Sequence, residues 1–139
     1  MIDRAVADTG SLVAIIRRRE AAHDRCVAAL KSFRAPLLTC WPVVTEAAWP
    51  LRDEPGGIRA LGGLFESGAF RIAELDALAL PRIIAFLERY ASIGADLADA
   101  AVMYLSEREA IGTVFTLDRR DFSVYRTAAG RALIIVPEP

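Results

Sequence analysis

Short runs that are apolar at every position alternate along this chain with longer stretches whose apolar residues recur at helical spacing. The first kind predicts strands buried on both faces, the second amphipathic helices. Ala5 to Ala7 predicts strand one, and Asp8-Thr9-Gly10-Ser11 follows it directly. Thr9 or Ser11 suits the cap of a helix expected over Ser11 to Arg19, with Leu12, Ile15 and Ile16 on one face. Arg17-Arg18-Arg19 would close that helix, since cations are favourable at a helix carboxyl end. Glu20 to Phe33 predicts a second helix, with His23 exposed near its start. Pro36 to Trp41 predicts strand two, and Pro42 then favours the first turn of a helix reaching about Arg52. Asp53 to Gly57 is a break, Ile58 to Glu66 a short helix closed by Ser67-Gly68, and Ala69 to Ala73 strand three. Asp76 starts a helix running to about Tyr90. Beyond a loop at Ser92 to Ala95, Asp96 to Ala110 predicts another helix and Thr113 to Leu117 strand four. Ala132 to Val136 predicts a last strand, stopped by Pro137.

Strands alternating with helices imply right-handed crossovers and a parallel sheet, hence an α/β fold. A length of 139 residues predicts a single domain over 1–139. The hydrophobic fraction of 54% suits a sheet covered on both faces. In so small a chain it also predicts an exposed apolar patch and a homodimer, with contributors on the helices around Ile58–Phe65 and Ile83–Tyr90. The longest uncharged run is residues 35–45, 11 residues, against roughly 20 for a membrane span, so no membrane segment is expected. Asp3 and Arg4 interrupt the start and no apolar leader follows, which predicts a cytoplasmic protein. Cys26 and Cys40, without CxxC spacing, predict neither a disulfide nor a zinc site. The net charge of −1 excludes a global basic field for nucleic acid. Yet of 17 basic residues only Lys31 is not arginine. That bias suits bidentate phosphate contacts, or reflects codon composition.

Chemistry enters with the carboxylates. Asp8 follows strand one, Glu46 lies just past strand two and Asp118 follows strand four. All three therefore fall at the carboxyl rim of the sheet, where open parallel sheets bind ligands. Asp99, in the first turn of the helix leading into strand four, faces the same rim if that helix packs beside strand one. Four such acids raise one another's pKa values and match an oxygen-only site for Mg2+ or Mn2+. One or two such ions activate water and stabilise displacement at a phosphodiester. Each acid also has a plainer reading: Asp8 as a helix cap, Glu46 as an exposed helix carboxylate, Asp99 as a helix-start acid, Asp118 as a turn residue. Asp96, after Gly94-Ala95, holds the N-cap position of its helix, which puts Asp99 at the third position with its side chain free to face the rim.

Asp8-Thr9-Gly10-Ser11, Thr45-Glu46, Ala98-Asp99-Ala100-Ala101 and Thr116-Leu117-Asp118-Arg119-Arg120-Asp121-Phe122 together resemble the ordered motifs of PIN-domain ribonucleases. Among these, the VapC toxins of bacterial toxin–antitoxin pairs are the most similar. The resemblance spans Asp8 to about Phe122. It implies a three-layer α/β/α PIN-like fold with a central parallel sheet of four to five strands. It implies Mg2+- or Mn2+-dependent cleavage of RNA that leaves a 5′-phosphate and a 3′-hydroxyl. Asp8, Glu46, Asp99 and Asp118 match the family's acidic quartet, both as metal ligands and as catalytic groups. Thr116 matches a supporting hydroxyl and Asp121 a less regular extra acid. Asp96 departs from the pattern as an added acid and leaves open which aspartate joins the metal shell. The resemblance further implies a homodimer and a cognate antitoxin protein as partner.

Rival classes are weaker. A phosphatase of the haloacid dehalogenase type needs a second acid two residues beyond Asp8, where Gly10 stands. A P-loop needs a Gly-Lys pair, and Lys31 lies in a predicted helix. The remaining alternative is a catalytically silent PIN-like module that binds metal, RNA or an antitoxin without turnover.

Overall fold

Five short parallel strands form the centre of the chain, in the spatial order β3-β2-β1-β4-β5. The computed structural model describes residues 3–34 and 36–139; Met1, Ile2 and Ala35, which fall inside the single-domain expectation, lie outside the described residues. The elements run β1 (Val6–Ala7), α1 (Thr9–Ile16), α2 (His23–Ser32), β2 (Leu37–Thr39), α3 (Trp41–Leu51), α4 (Gly57–Glu66) and β3 (Phe70–Ile72). They continue with α5 (Leu80–Arg89), α6 (Leu97–Arg108), β4 (Thr113–Phe115), α7 (Arg119–Phe122) and β5 (Ile134–Val136). This is the α/β architecture with an all-parallel sheet that the pattern predicts.

β1 lies at the middle because its residues are apolar on both faces. Ala5, Val6 and Ala7 are fully buried, Val6 pairing with Leu38 on one side and Val114 on the other. The chain moves outward from β1 through β2 to β3, then returns to the far side of β1 for β4 and β5. The strand order therefore reverses between β1 and β4. At such a switch point the two crossovers leave in opposite directions and open a crevice at the strand carboxyl ends. α1 packs on α3 and α2, and α6 packs on β1, β4, α3 and α5.

Several expected boundaries move for local reasons. α1 starts at Thr9, two residues early, and neither Thr9 nor Ser11 caps it. Asp8 is the capping position but makes no side-chain cap bond. Its N–H donates to Phe115 O at 2.9 Å. The Ser11 hydroxyl is instead turned back to the Asp8 and Phe115 carbonyls, at 2.8 and 2.9 Å. Nor do the three arginines ride on the end of α1. Arg17 leaves the helix, donates to the Pro50 carbonyl at 2.8 Å and pairs with Glu20 and Glu54. His23 is half-buried rather than exposed, with Nδ1 2.7 Å from Ala14 O. The helix expected from Asp76 divides: the Asp76 carboxylate accepts the Leu78 N–H at 2.9 Å and caps a 3-10 turn, Ala77–Ala79, before α5 begins. At the break before α4, a Cβ on Gly57 would sit 2.5 Å from the Leu51 carbonyl oxygen, so the close approach of α4 to the end of α3 requires glycine there. Among the described residues no helix is long and apolar enough to cross a membrane.

Candidate functional site

Asp8 directly follows β1 and Asp118 lies three residues past β4, so both sit at the β1/β4 switch point. α3 starts at the end of β2 and carries Glu46 one turn in, against α1. α6 packs on β1 and brings Asp96 and Asp99 on its first turn. The elements thus bring every sequence-predicted acid to one rim. Asp8 feels the charges of Asp99 and Asp96, Glu46 those of Asp96 and Asp99, Asp99 that of Asp118, and Asp121 those of Asp118 and Asp96.

Asp8 is the most enclosed of the group, 7% exposed. Burial first, then the Asp99 and Asp96 charges, raise its carboxyl from 3.8 to about 7, against hydrogen bonds from the Thr9 N–H and the Thr116 hydroxyl. Thr116, fully buried, donates to Asp8 Oδ2 at 2.9 Å while its oxygen accepts the Asp118 N–H at 3.0 Å. One hydroxyl therefore sets the spacing of two acids that follow neighbouring strands. Asp118 Oδ1 in turn accepts the Asp121 N–H at 3.1 Å and caps the short α7. Partial burial and the nearby Asp118 raise the Asp121 carboxyl. Glu46 is exposed, and its Oε2 accepts the Thr9 hydroxyl at 3.1 Å. Partial desolvation and contact with the Asp96 carboxyl raise it too.

Asp96 is the N-cap of α6, as expected: its Oδ1 accepts the Asp99 N–H at 2.9 Å. Asp99, however, is not free. It completes a capping box by accepting the Asp96 N–H on Oδ2 at 3.3 Å, and the same oxygen accepts the Tyr125 hydroxyl at 2.8 Å. Nor does Asp96 only turn back on its helix, since it also meets Glu46. Burial, then the Asp96 and Asp118 charges, raise Asp99 from 3.8 to about 6 despite the Tyr125 bond.

Tyr125 is the residue that sequence reasoning missed. It is fully buried and ringed by Phe86, Tyr90 and Phe122 at centroid distances of 4.9, 5.0 and 5.1 Å. Burial and the Asp99 acceptor push its hydroxyl far above the ordinary phenol range, so it is a permanent donor to Asp99. A tyrosine seven residues past Asp118 carries no local pattern that announces this contact.

The acids offer oxygen donors, which suit Mg2+ or Mn2+, and the one thiol near them, Cys40, is fully buried and held in its neutral form by that burial and by the Asp8 and Glu46 charges. A cation would also relieve the burial and mutual repulsion that oppose ionisation of Asp8 and Asp99. Among the described residues, no three acids are gathered closely enough to form a finished ligand cage.

The PIN domain pattern matches residues 5–128. The chain is 28% identical over 134 residues to a protein named Ribonuclease VapC26 from Mycobacterium tuberculosis, covering 95% of this chain and 99% of that one. Its fold is similar to M. tuberculosis VapC20, described as a toxin that cleaves the sarcin–ricin loop, with a TM-score of 0.75 and 18% identity over 84% of this chain and 91% of that one. It is also similar to VapBC2 of Rickettsia felis, solved bound to a DNA fragment from its promoter, with a TM-score of 0.63 and 13% identity over 98% and 99% of the two chains.

Proposed function

Since the chain belongs to the PIN-domain family, we propose that it is an endoribonuclease, assisted by Mg2+ or Mn2+, and the toxin of a toxin–antitoxin pair. The observation that carries this reading is the crowding of carboxylates at the β1/β4 switch point, where burial and mutual charge oppose ionisation of Asp8 and Asp99. Asp8, Asp99 and Asp118 would hold the cation, with Glu46 contributing directly or through water. The cation, when bound, supplies an activated water and charge stabilisation at the phosphodiester. The chain's own residues aim the ligands: Thr116 spaces Asp8 from Asp118, Tyr125 fixes Asp99, and Thr9 steadies Glu46. Such supporting partners typically change metal affinity or activity by about 10–100-fold.

RNA is the substrate class, and a small antitoxin protein is the silencing partner; the likeness to a VapC ribonuclease and to a VapBC complex supports both. A single domain over residues 1–139, a cytoplasmic location and a homodimer complete the proposal. Ile58 and Ile84 lie exposed on α4 and α5 for that contact. Calorimetric titration with Mn2+ should show binding that is severely reduced in Asp8→Asn, and RNA cleavage should stop in EDTA. Unchanged binding in the variant, or cleavage that survives EDTA, overturns the assignment. Metal binding without any cleavage would instead favour a catalytically silent module that only holds metal, RNA or an antitoxin. Expression without the partner should arrest growth.

A further inference from the structure

At the edge of the carboxylate rim, on the β4–β5 side, lies a cavity of about 360 Å3, at the small end of ligand sites, which run roughly 300–1,000 Å3. It shares a wall with the site, because Thr116 and Asp118 line it beside Arg25 of α2 and Arg119 and Arg120 of α7. Three guanidiniums thus face a space whose only acidic lining side chain, among the described residues, is Asp118. The net charge of the chain is −1, so this local excess is not the by-product of a basic protein.

Two of the three guanidiniums are anchored. Arg119 Nη1 donates to the carbonyls of Ile135 and Pro137 at 3.3 and 2.8 Å, and Arg25 Nη1 donates to the Glu138 carbonyl at 3.1 Å. Each guanidinium has five N–H groups in a planar fork, and among the described residues Nε and Nη2 of both are left for a further acceptor. Arg120 is exposed, and its charge lowers the neighbouring Asp121 carboxyl. Prearranged planar forks of this kind match the oxygens of a phosphate. The rim therefore offers carboxylates at its centre and guanidiniums at its edge, the two things needed to hold a cation and a polyanion side by side.

We propose that this cavity receives a backbone phosphate of single-stranded RNA, adjacent along the strand to the phosphate at the carboxylates. The proposal rests on the nuclease reading above. A cavity of this size beside the carboxylates has room for a phosphate together with its sugar; it is reached by a flexible strand whose phosphates can turn inward, and electrostatic tracking of the backbone is how such strands are held.

The test compares Arg25→Gln/Arg120→Gln with the parent protein; Arg119 stays because it ties α7 to β5. Fluorescence anisotropy of a labelled single-stranded RNA is measured against salt in the Asp8→Asn background, where RNA binds without being cut. Each lost phosphate contact should lower the slope of log affinity against log salt by about 0.7, with affinity at low salt down roughly tenfold. In the cleavage-competent background KM should rise and kcat stay near the parent value, with an unchanged melt. An unchanged slope and KM, with cleavage intact, overturns the cavity assignment and leaves the nuclease reading standing. Absence of metal-dependent cleavage in the parent sinks the nuclease reading, while the salt slopes still decide the cavity. An effect seen only with RNA bearing a 5′-terminal phosphate, or loss of antitoxin binding alone, also overturns it.

Discussion

Replacing Asp8 by Asn keeps the shape of a nearly buried side chain and removes its charge. In the metal-free protein, burial and the Asp99 and Asp96 charges raise this carboxyl from 3.8 to about 7. A carboxyl raised on folding supports the fold in its protonated form. That support is complete below about 3.8 and is lost as pH rises through about 7. Asp99, raised from 3.8 to about 6 chiefly by burial, acts in the same sense and direction. At 1.36 kcal/mol per pH unit, the shift in Asp8 amounts to an upper limit of about 4 kcal/mol held against the ionised folded state. Asn escapes that cost, and its amide oxygen still accepts the Thr116 hydroxyl. In EDTA the variant should therefore equal wild type near pH 4 and exceed it above pH 7. For a chain of this size the gain in melting temperature is on the order of 10 °C. Saturating Mg2+ should then stabilise wild type by mass action and leave the variant unmoved. Scanning calorimetry of both proteins across pH, with and without Mg2+, measures all of this. A variant no more stable than wild type at pH 8 in EDTA, or one equally stabilised at pH 4, would refute the reasoning.

Four further outcomes follow from the hydrogen bonds of the site and of the α1 exit. Tyr125→Phe should cost about 1–3 kcal/mol in melts, on the scale of a bond to a charged group, and weaken Mn2+ binding about tenfold in titrations. Asp96→Ala should lower stability by about 1 kcal/mol through loss of the cap. Asp99→Asn should cut RNase activity about 100-fold with a smaller change in melting; full activity in Asp99→Asn would remove it from the site. Arg17→Ala removes the donor to the Pro50 carbonyl and one of the two arginines paired with Glu54, the other being Arg19 at 3.7 Å, so urea unfolding should show a loss of about 1–2 kcal/mol with RNA cleavage unchanged.

Strand-by-strand alternation, the turn residues and the acids were legible in the chain because each rests on local spacing. Three residues such as Ala5 to Ala7, apolar on both faces, have few places to go but the middle of a parallel sheet. An aspartate directly after such a run must then sit at the strand's carboxyl end. Asp96 as the cap of α6 was legible for the same reason, since a cap acts within its own first turn. What the sequence could not decide was anything set by contacts across the fold. The strand order β3-β2-β1-β4-β5, which makes the β1/β4 ends the crevice, depends on how whole layers pack. The bond from Tyr125 to Asp99 joins side chains 26 positions apart, and the one from Thr116 to Asp8 joins side chains 108 apart. Thr9 was expected at a helix cap and instead holds Glu46, 37 positions away. A hydroxyl chooses among acceptors only after the sheet has brought them within reach. The identity of the acids was therefore written locally, while their spacing, their burial and the donors that aim them were decided by tertiary packing.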